Sequence, residues 1–242
     1  MTAQKKTSSA SSIIMKRELT SYFISPVAYI VTGLFLIFSG FLFFSTFFIQ
    51  GRAELRHLFS LLPVLLSFFI PALTMKSFAE ENRSGSIETL MTLPVTEFQV
   101  VLGKFLAAFI ASAVMIAPTL FYVVTAYIFG SPEAGPIIGG YIGALFLCAA
   151  FSAIGLFASS VTKNQIIAFF IAFAICMLLS TLSSFLVLFP GVLVNILSYF
   201  TADSHFDSIA RGIIDTRDIL YFVSLTIFFF ALCVKTEQNA RR

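Results

Sequence analysis

Charge is what this sequence has least of. Only 11% of its 242 residues are Asp, Glu, Lys or Arg, where soluble domains carry about 25%. Hydrophobic residues make up 58% and the mean hydropathy is +0.97. No soluble core can use that much apolar surface, so the chain reads as an integral membrane protein. A net charge of +3, with no basic patch that tracks a phosphate backbone, argues against nucleic acid as a partner. Cysteine is scarce as well. Cys148, Cys176 and Cys233 all lie in apolar runs without metal-ligand spacing, and read as packing residues rather than disulfide partners.

Other absences narrow the chemistry. The interiors of the apolar runs hold no Asp, Glu, Lys, Arg or His, the groups that serve as relays or ion ligands in coupled carriers. There is no HExxH, no aspartate pair within a run and no Ser–His arrangement, which leaves intramembrane hydrolysis without machinery. His57 and His205 fall at the ends of apolar runs and read as interfacial. The only Gly-Lys step, at Gly103–Lys104, lacks the preceding glycine and the following Ser or Thr of a phosphate loop. If this chain moves something with energy, another subunit supplies it. No metal site and no directly bound cofactor is expected.

What the sequence has is length of hydrocarbon. Six runs are long enough to cross a bilayer: 27–49, 57–76, 104–129, 137–161, 166–189 and 218–235. Helices are expected throughout, because a helix satisfies its own backbone in lipid. The first run is too long for a signal peptide and is followed by no small-residue cleavage site. With the N-terminus inside, eleven Lys and Arg residues fall on the cytoplasmic side and only Arg52, Arg56, Arg211 and Arg217 fall outside. That bias predicts cytoplasmic termini. The Ser-rich stretch KKTSSASS predicts a disordered tail over residues 1–12.

Three polar landmarks interrupt the apolar pattern. In IIMKRELTSYFISPVAYI, Met15, Leu19, Tyr22 and Phe23 share one helical face, with Lys16, Arg17 and Glu18 on the rest. This predicts an amphipathic interfacial helix over 13–25, ended by Pro26 at the first turn of the first span. In EENRSGSIETLMTLP, Gly85 breaks one helix, Ser86 caps the next, Ile87–Leu93 form about two turns and Pro94 stops them. Thr96 and Gln99 then make a capping-box pattern. The product is a short cytoplasmic helix between spans 2 and 3, with Ile87, Leu90, Met91 and Pro94 as an apolar ridge and Glu80, Glu81 and Glu88 as charge. In FTADSHFDSIARGIIDTRDILYF, a short helix is expected over Phe206–Ile213 with Asp203 or Ser204 as its cap. The apolar GVLVNILSYF before it is too short to cross and is expected to re-enter the outer leaflet. Gly135, Gly139 and Gly143 recur every four residues and predict close packing within the subunit.

These landmarks resemble the membrane subunits of ABC-2 type ABC transporters over nearly the whole chain. The signals are RELTSYFISPVAYI at Arg17–Ile30, FAEENRSGSIETLMTLPVTEFQVVLGKF at Phe78–Phe105 and HFDSIARGIIDTRDILYF at His205–Phe222. Together they look most similar to the permease of the gliding-motility-type subgroup. The resemblance implies an all-α, six-span bacterial inner-membrane protein with a coupling helix at Gly85–Leu93, docking in a groove of a separate ATPase that binds ATP and Mg. The ATPase-coupling set is then Glu80, Glu81, Gly85, Ser86, Ile87, Glu88, Leu90, Met91, Leu93 and Pro94. Lys16, Arg17, Glu18 and Tyr22 belong to the interfacial helix. His205, Phe206, Arg211, Gly212 and Asp215 belong to an outer re-entrant pair within 190–217. Expected partners are the ATPase, a second permease copy or a related one, membrane lipid, and in some relatives a membrane protein with a large extracytoplasmic domain. The expected function is an ATP-driven exporter permease, not itself catalytic. The alternative is a non-transporting transducer that passes ATPase motion to another membrane protein.

Overall fold

The computed structural model describes residues 2–50, 55–85, 95–130, 132–185, 199, 201–213 and 215–240. Among them are ten helices: α1 (Thr2–Ile24), α2 (Pro26–Gln50), α3 (Arg56–Thr74), α4 (Ala79–Ser84), α5 (Glu97–Ile116), α6 (Leu120–Phe129), α7 (Ala134–Val161), α8 (Gln165–Phe185), α9 (Ala202–Ala210) and α10 (Thr216–Ala240). A single 3-10 turn, Ala117–Thr119, joins α5 to α6 at Pro118. No strand occurs among the described residues. Among the described residues six stretches are long and apolar enough to cross a membrane: Pro26–Phe48, Arg56–Ser84, Glu97–Phe129, Ala134–Val161, Gln165–Phe185 and Thr216–Asn239. The protein is an all-helical, multi-pass membrane protein.

α7 is the hub. It packs on α3, α5, α8, α9 and α10, and its small residues explain why. A Cβ on Gly155 would lie 2.0 Å from Thr74 Oγ1, and one on Gly140 would lie 2.6 Å from the Phe59 ring. Helices approach this closely only where side chains are nearly absent, which in lipid is how van der Waals packing replaces a hydrophobic drive. Gly139 and Gly143, read from their spacing as packing glycines, seat α9: a Cβ on Gly139 would fall 2.1 Å from the Ile209 carbonyl oxygen, and Gly143 faces the Phe206 ring.

Two apolar cores result. The larger joins α2, α3, α7, α8, α9 and the start of α10 through residues such as Phe35, Leu66, Ile70, Phe151 and Phe206. The smaller lies at the other end, where Ile14, Phe78, Val101, Leu156 and Cys233 bring α1, α4, α5, α7 and α10 together. Cys148, Cys176 and Cys233 are buried and free.

Several boundaries differ from the sequence expectations. α1 begins at Thr2, so the segment set apart as a disordered tail continues the helix; no Gly or Pro interrupts residues 2–24. Ser11 and Ile14 are buried against α5, where Gly103 admits the Ile14 side chain; of the expected face, Met15, Leu19 and Tyr22 are half-buried and Phe23 is exposed. α5 starts at Glu97, with Gln99 Oε1 accepting from the Thr96 amide at 3.2 Å in a capping box. The short outer helix spans Ala202–Ala210, preceded by Thr201 in extended conformation and followed by Gly212 at φ 85°. Neither Asp203 nor Ser204 is its cap, since both already lie in its first turn.

Candidate functional site

The site grows from the way α3 ends. At Thr74 the chain leaves α3, turns through residues 75–78 and enters the six-residue α4. A helix start exposes amides without intrahelical partners. Here they are met from another helix: Ser159 Oγ, near the end of α7, accepts from the Phe78 and Ala79 amides at 2.9 and 3.0 Å and donates to the Met75 carbonyl at 3.0 Å. Asn82 Nδ2 donates to the Ser160 carbonyl at 3.4 Å. One end of α7 therefore fixes residues 75–82. Gly85 ends α4 at φ 72°, a left-handed conformation that a β-carbon disfavours.

Lys104, about two helical turns into α5, closes the arrangement. Its side chain is only 1% exposed. Its ammonium group donates to the Ser77 carbonyl at 2.6 Å and pairs with Glu81 Oε1 at 2.9 Å and Glu18 Oε1 at 3.2 Å. The same nitrogen stands 4.9 Å from the centre of the Phe78 ring, within cation–π range. Arg17 adds a second cation, 3.1 Å from Glu81 and 3.4 Å from Glu18. Two cations and two carboxylates thus join α1, α4 and α5. A buried ammonium is tolerated only with such partners. Glu237 of α10, 2% exposed, lies close enough to Lys104 and Glu81 to feel both charges. Tyr22 completes the α1 side with a 2.9 Å hydroxyl contact to Ser77 Oγ. Burial pushes the Tyr22 phenol up to about 12, the Ser77 contact pulling it partly back and Glu18 adding to the rise. It therefore stays protonated at neutral pH.

Of the residues named from sequence, Arg17, Glu18, Tyr22 and Glu81 are brought together here, while Glu80 is exposed beside them and Gly85 lies just beyond. Lys16 is exposed. Ser86, Ile87, Glu88, Leu90, Met91, Leu93 and Pro94 lie outside the described residues. Sequence reasoning weighed Lys104 only as a topological charge and as an incomplete phosphate-loop step, and missed Ser77, Ser159 and Glu237. A lysine seven residues beyond the helix start, followed at once by an apolar run, was the available signal for Lys104. Nothing local marks Ser159.

The opposite end carries the other predicted group. Phe206 is fully buried against Gly143. His205 Nδ1 lies 2.6 Å from Asp218 Oδ1, with its ring stacked 4.3 Å from Tyr221, so α9 is fastened to α10. Ser183 donates to Asp203 Oδ2 at 2.7 Å and fastens α9 to α8. Burial raises the Asp203 carboxyl above the usual range, opposed by the Ser183 hydrogen bond and reinforced by Asp207. Arg211 pairs with Asp207 at 3.1 Å on the surface. Asp215 Oδ1 accepts from the Arg217 amide at 3.0 Å at the start of α10. Among the described residues no group of three or more His, Cys, Asp or Glu is placed to hold a metal ion.

No curated protein matches the chain. The family model for ABC-2 family transporter proteins matches residues 55–235, from the start of α3 into α10. The chain therefore belongs to the ABC-2 family of transporter membrane proteins, the permease subunits that work with an ABC ATPase.

Proposed function

We propose that this permease is the membrane subunit of an ATP-driven exporter in a bacterial inner membrane, and that the charged cluster at Lys104 carries ATPase motion into the spans. The observation that carries this reading is where Lys104 sits. It stands on α5, after residues 86–94, and holds Ser77 and Glu81, before them. Both ends of that segment are thereby tied to one another. A segment anchored this way passes a push on it to α3 and α5 together, which a slack loop does not. Gly85–Leu93 acts as the coupling helix, with Leu90 and Met91 seated in a groove of the ATPase and Glu88 at the groove rim. ATP and Mg are bound by the ATPase. α1 lies along the cytoplasmic leaflet and both termini are cytoplasmic, as the eleven-to-four Lys and Arg bias favours. Two permease copies, or one with a related partner, complete the membrane part. The segment from 190 to 217 forms an outer re-entrant pair. The wording of Arg17–Ile30, Phe78–Phe105 and His205–Phe222 supports the gliding-motility-type subgroup.

The test is Leu90→Asp beside wild type. Truncating or charging a buried hot-spot side chain costs about 2 kcal/mol or more of binding, so the ATPase should no longer copurify, or its activity should lose its response to the permease. Glu88→Ala should do much less, because rim charges stay solvated. Full copurification and full coupling of Leu90→Asp would remove residues 86–94 from the contact.

A further inference from the structure

Beside the charged cluster lies a cleft of about 570 Å³ between α1 and the end of α3. It contains two ionisable side chains that the cluster does not use. Arg17, Glu18 and Glu81 satisfy one another and Lys104. Lys76 and Glu80, one turn apart, form no ion pair among the described residues. Lys76 Nζ reaches only Ser25 Oγ, at 3.5 Å, and Glu80 is exposed. The other walls are of two kinds. Ser21, Ser25 and Tyr22 are polar, whereas Ile24, Val27 and Leu73 are apolar. Val27 lies at the start of the first span and Leu73 at the end of α3, so both lie toward the same membrane face, where headgroups meet hydrocarbon.

We infer that this cleft holds the headgroup of one amine-bearing zwitterionic phospholipid, with the phosphate at Lys76 and Ser25 and the primary ammonium at Glu80. The charge count selects this class. Three carboxylates and two cations line the cleft, so an anionic headgroup without an amine leaves Glu80 facing a second negative charge. A choline headgroup carries no N–H and cannot hydrogen-bond to Glu80, whereas a primary ammonium offers three donors. The apolar lower wall selects a lipid over its soluble headgroup, because it continues into the space that acyl chains occupy. An occupied cleft would brace α1 against the end of α3.

Nanodiscs with equal amounts of phosphatidylethanolamine, phosphatidylglycerol and phosphatidylcholine of matched chains provide the test. The full-length chain is reconstituted, extracted in mild detergent and read by native mass spectrometry for retained lipid. Wild type should retain phosphatidylethanolamine about tenfold over the other two, the equivalent of one charge-assisted hydrogen bond. Glu80→Gln should erase that preference, Lys76→Gln should lower the retention of all three lipids, and soluble glycerophosphoethanolamine should not displace the lipid. Retention in the supplied ratio, dominance of phosphatidylglycerol, unchanged preference in Glu80→Gln, undiminished retention in Lys76→Gln or displacement by the soluble headgroup would each overturn the assignment. If one variant does not purify, the wild-type ranking and the other variant decide. No ATPase takes part, so the outcome is separate from that of the coupling test.

Discussion

Lys104 is worth more in place than its charge alone would suggest, because two carboxylates are arranged around it. Removing one partner of a buried pair leaves the other charge unsatisfied, at about 3–5 kcal/mol when burial is complete. Glu18 and Glu81 keep 12% and 16% of their side-chain surface and retain Arg17, so Lys104→Met should cost less, about 2 kcal/mol. Thermal unfolding in detergent measures this. The double variant Lys104→Met with Glu81→Gln should recover part of the loss, since groups in one network do not add. Additive losses would mean that Lys104 and Glu81 stabilise the fold independently. Ser159→Ala is the uncharged counterpart. It strands two amides and a carbonyl that one hydroxyl satisfies, and each such group costs about 1–3 kcal/mol when buried without a partner. The variant should loosen residues 75–82, seen as faster amide exchange there than in α8.

At the scale of elements, the glycines of α7 separate close packing from mere smallness. Gly139 has the Ile209 carbonyl in the way of any β-carbon, and a backbone atom cannot swing aside. Gly139→Ala should therefore displace α9 and cost about 1–3 kcal/mol or more. Gly33→Ala on α2, with nothing within 4 Å, should be neutral or slightly stabilising by helix propensity. α9 is also pH-sensitive through Asp203. Its carboxyl is raised in the folded state, so the folded protein binds the proton more tightly and the docking of α9 weakens as pH rises from the unfolded value through the folded one. Asp203→Asn should remove that loss, read from unfolding temperature across the acid range. Hydrophobic length made the six spans legible from sequence, and the Thr96–Gln99 pattern marked the start of α5. The apolar run nevertheless suggested a span beginning only at Lys104, since an apolar window stops at a charge. The charge is neutralised by Glu18 and Glu81, 86 and 23 residues away in sequence, and no local pattern announces such partners. The same reason hid Ser159 and Glu237. On α1, apolar periodicity marked Met15, Leu19, Tyr22 and Phe23, while the contacts of Ile14 with Gly103 and of Glu18 with Lys104 join residues far apart in sequence and left no local pattern.

For the whole molecule, the arrangement of its two ends constrains sidedness before any labelling is done. Arg17 on α1 reaches Glu81 on α4, and Lys104 reaches both Glu18 and Glu81. The N-terminal helix, the end of α3 and the start of α5 are therefore on one face of the membrane, with α9 at the opposite end of α7. Six crossings return α10 to the face where α1 began, and Glu237 stands there beside the cluster. What remains is which face is cytoplasmic. The proposed orientation, with the α1 face inside, rests on eleven Lys and Arg residues against four. The expected outcome is that a cysteine at position 207 reacts with a membrane-impermeant maleimide in intact cells, while one at position 86 reacts only after the membrane is opened. The background replaces Cys148, Cys176 and Cys233 with alanine, a small change for buried free thiols acting as packing. Asp207 is 40% exposed and its pair with Arg211 lies on the surface, so Asp207→Cys should cost little. Labelling at 86 without labelling at 207 would invert the protein. It would place the charged cluster outside the cell, where no ATPase could reach residues 86–94, and would remove the coupling role proposed for Lys104.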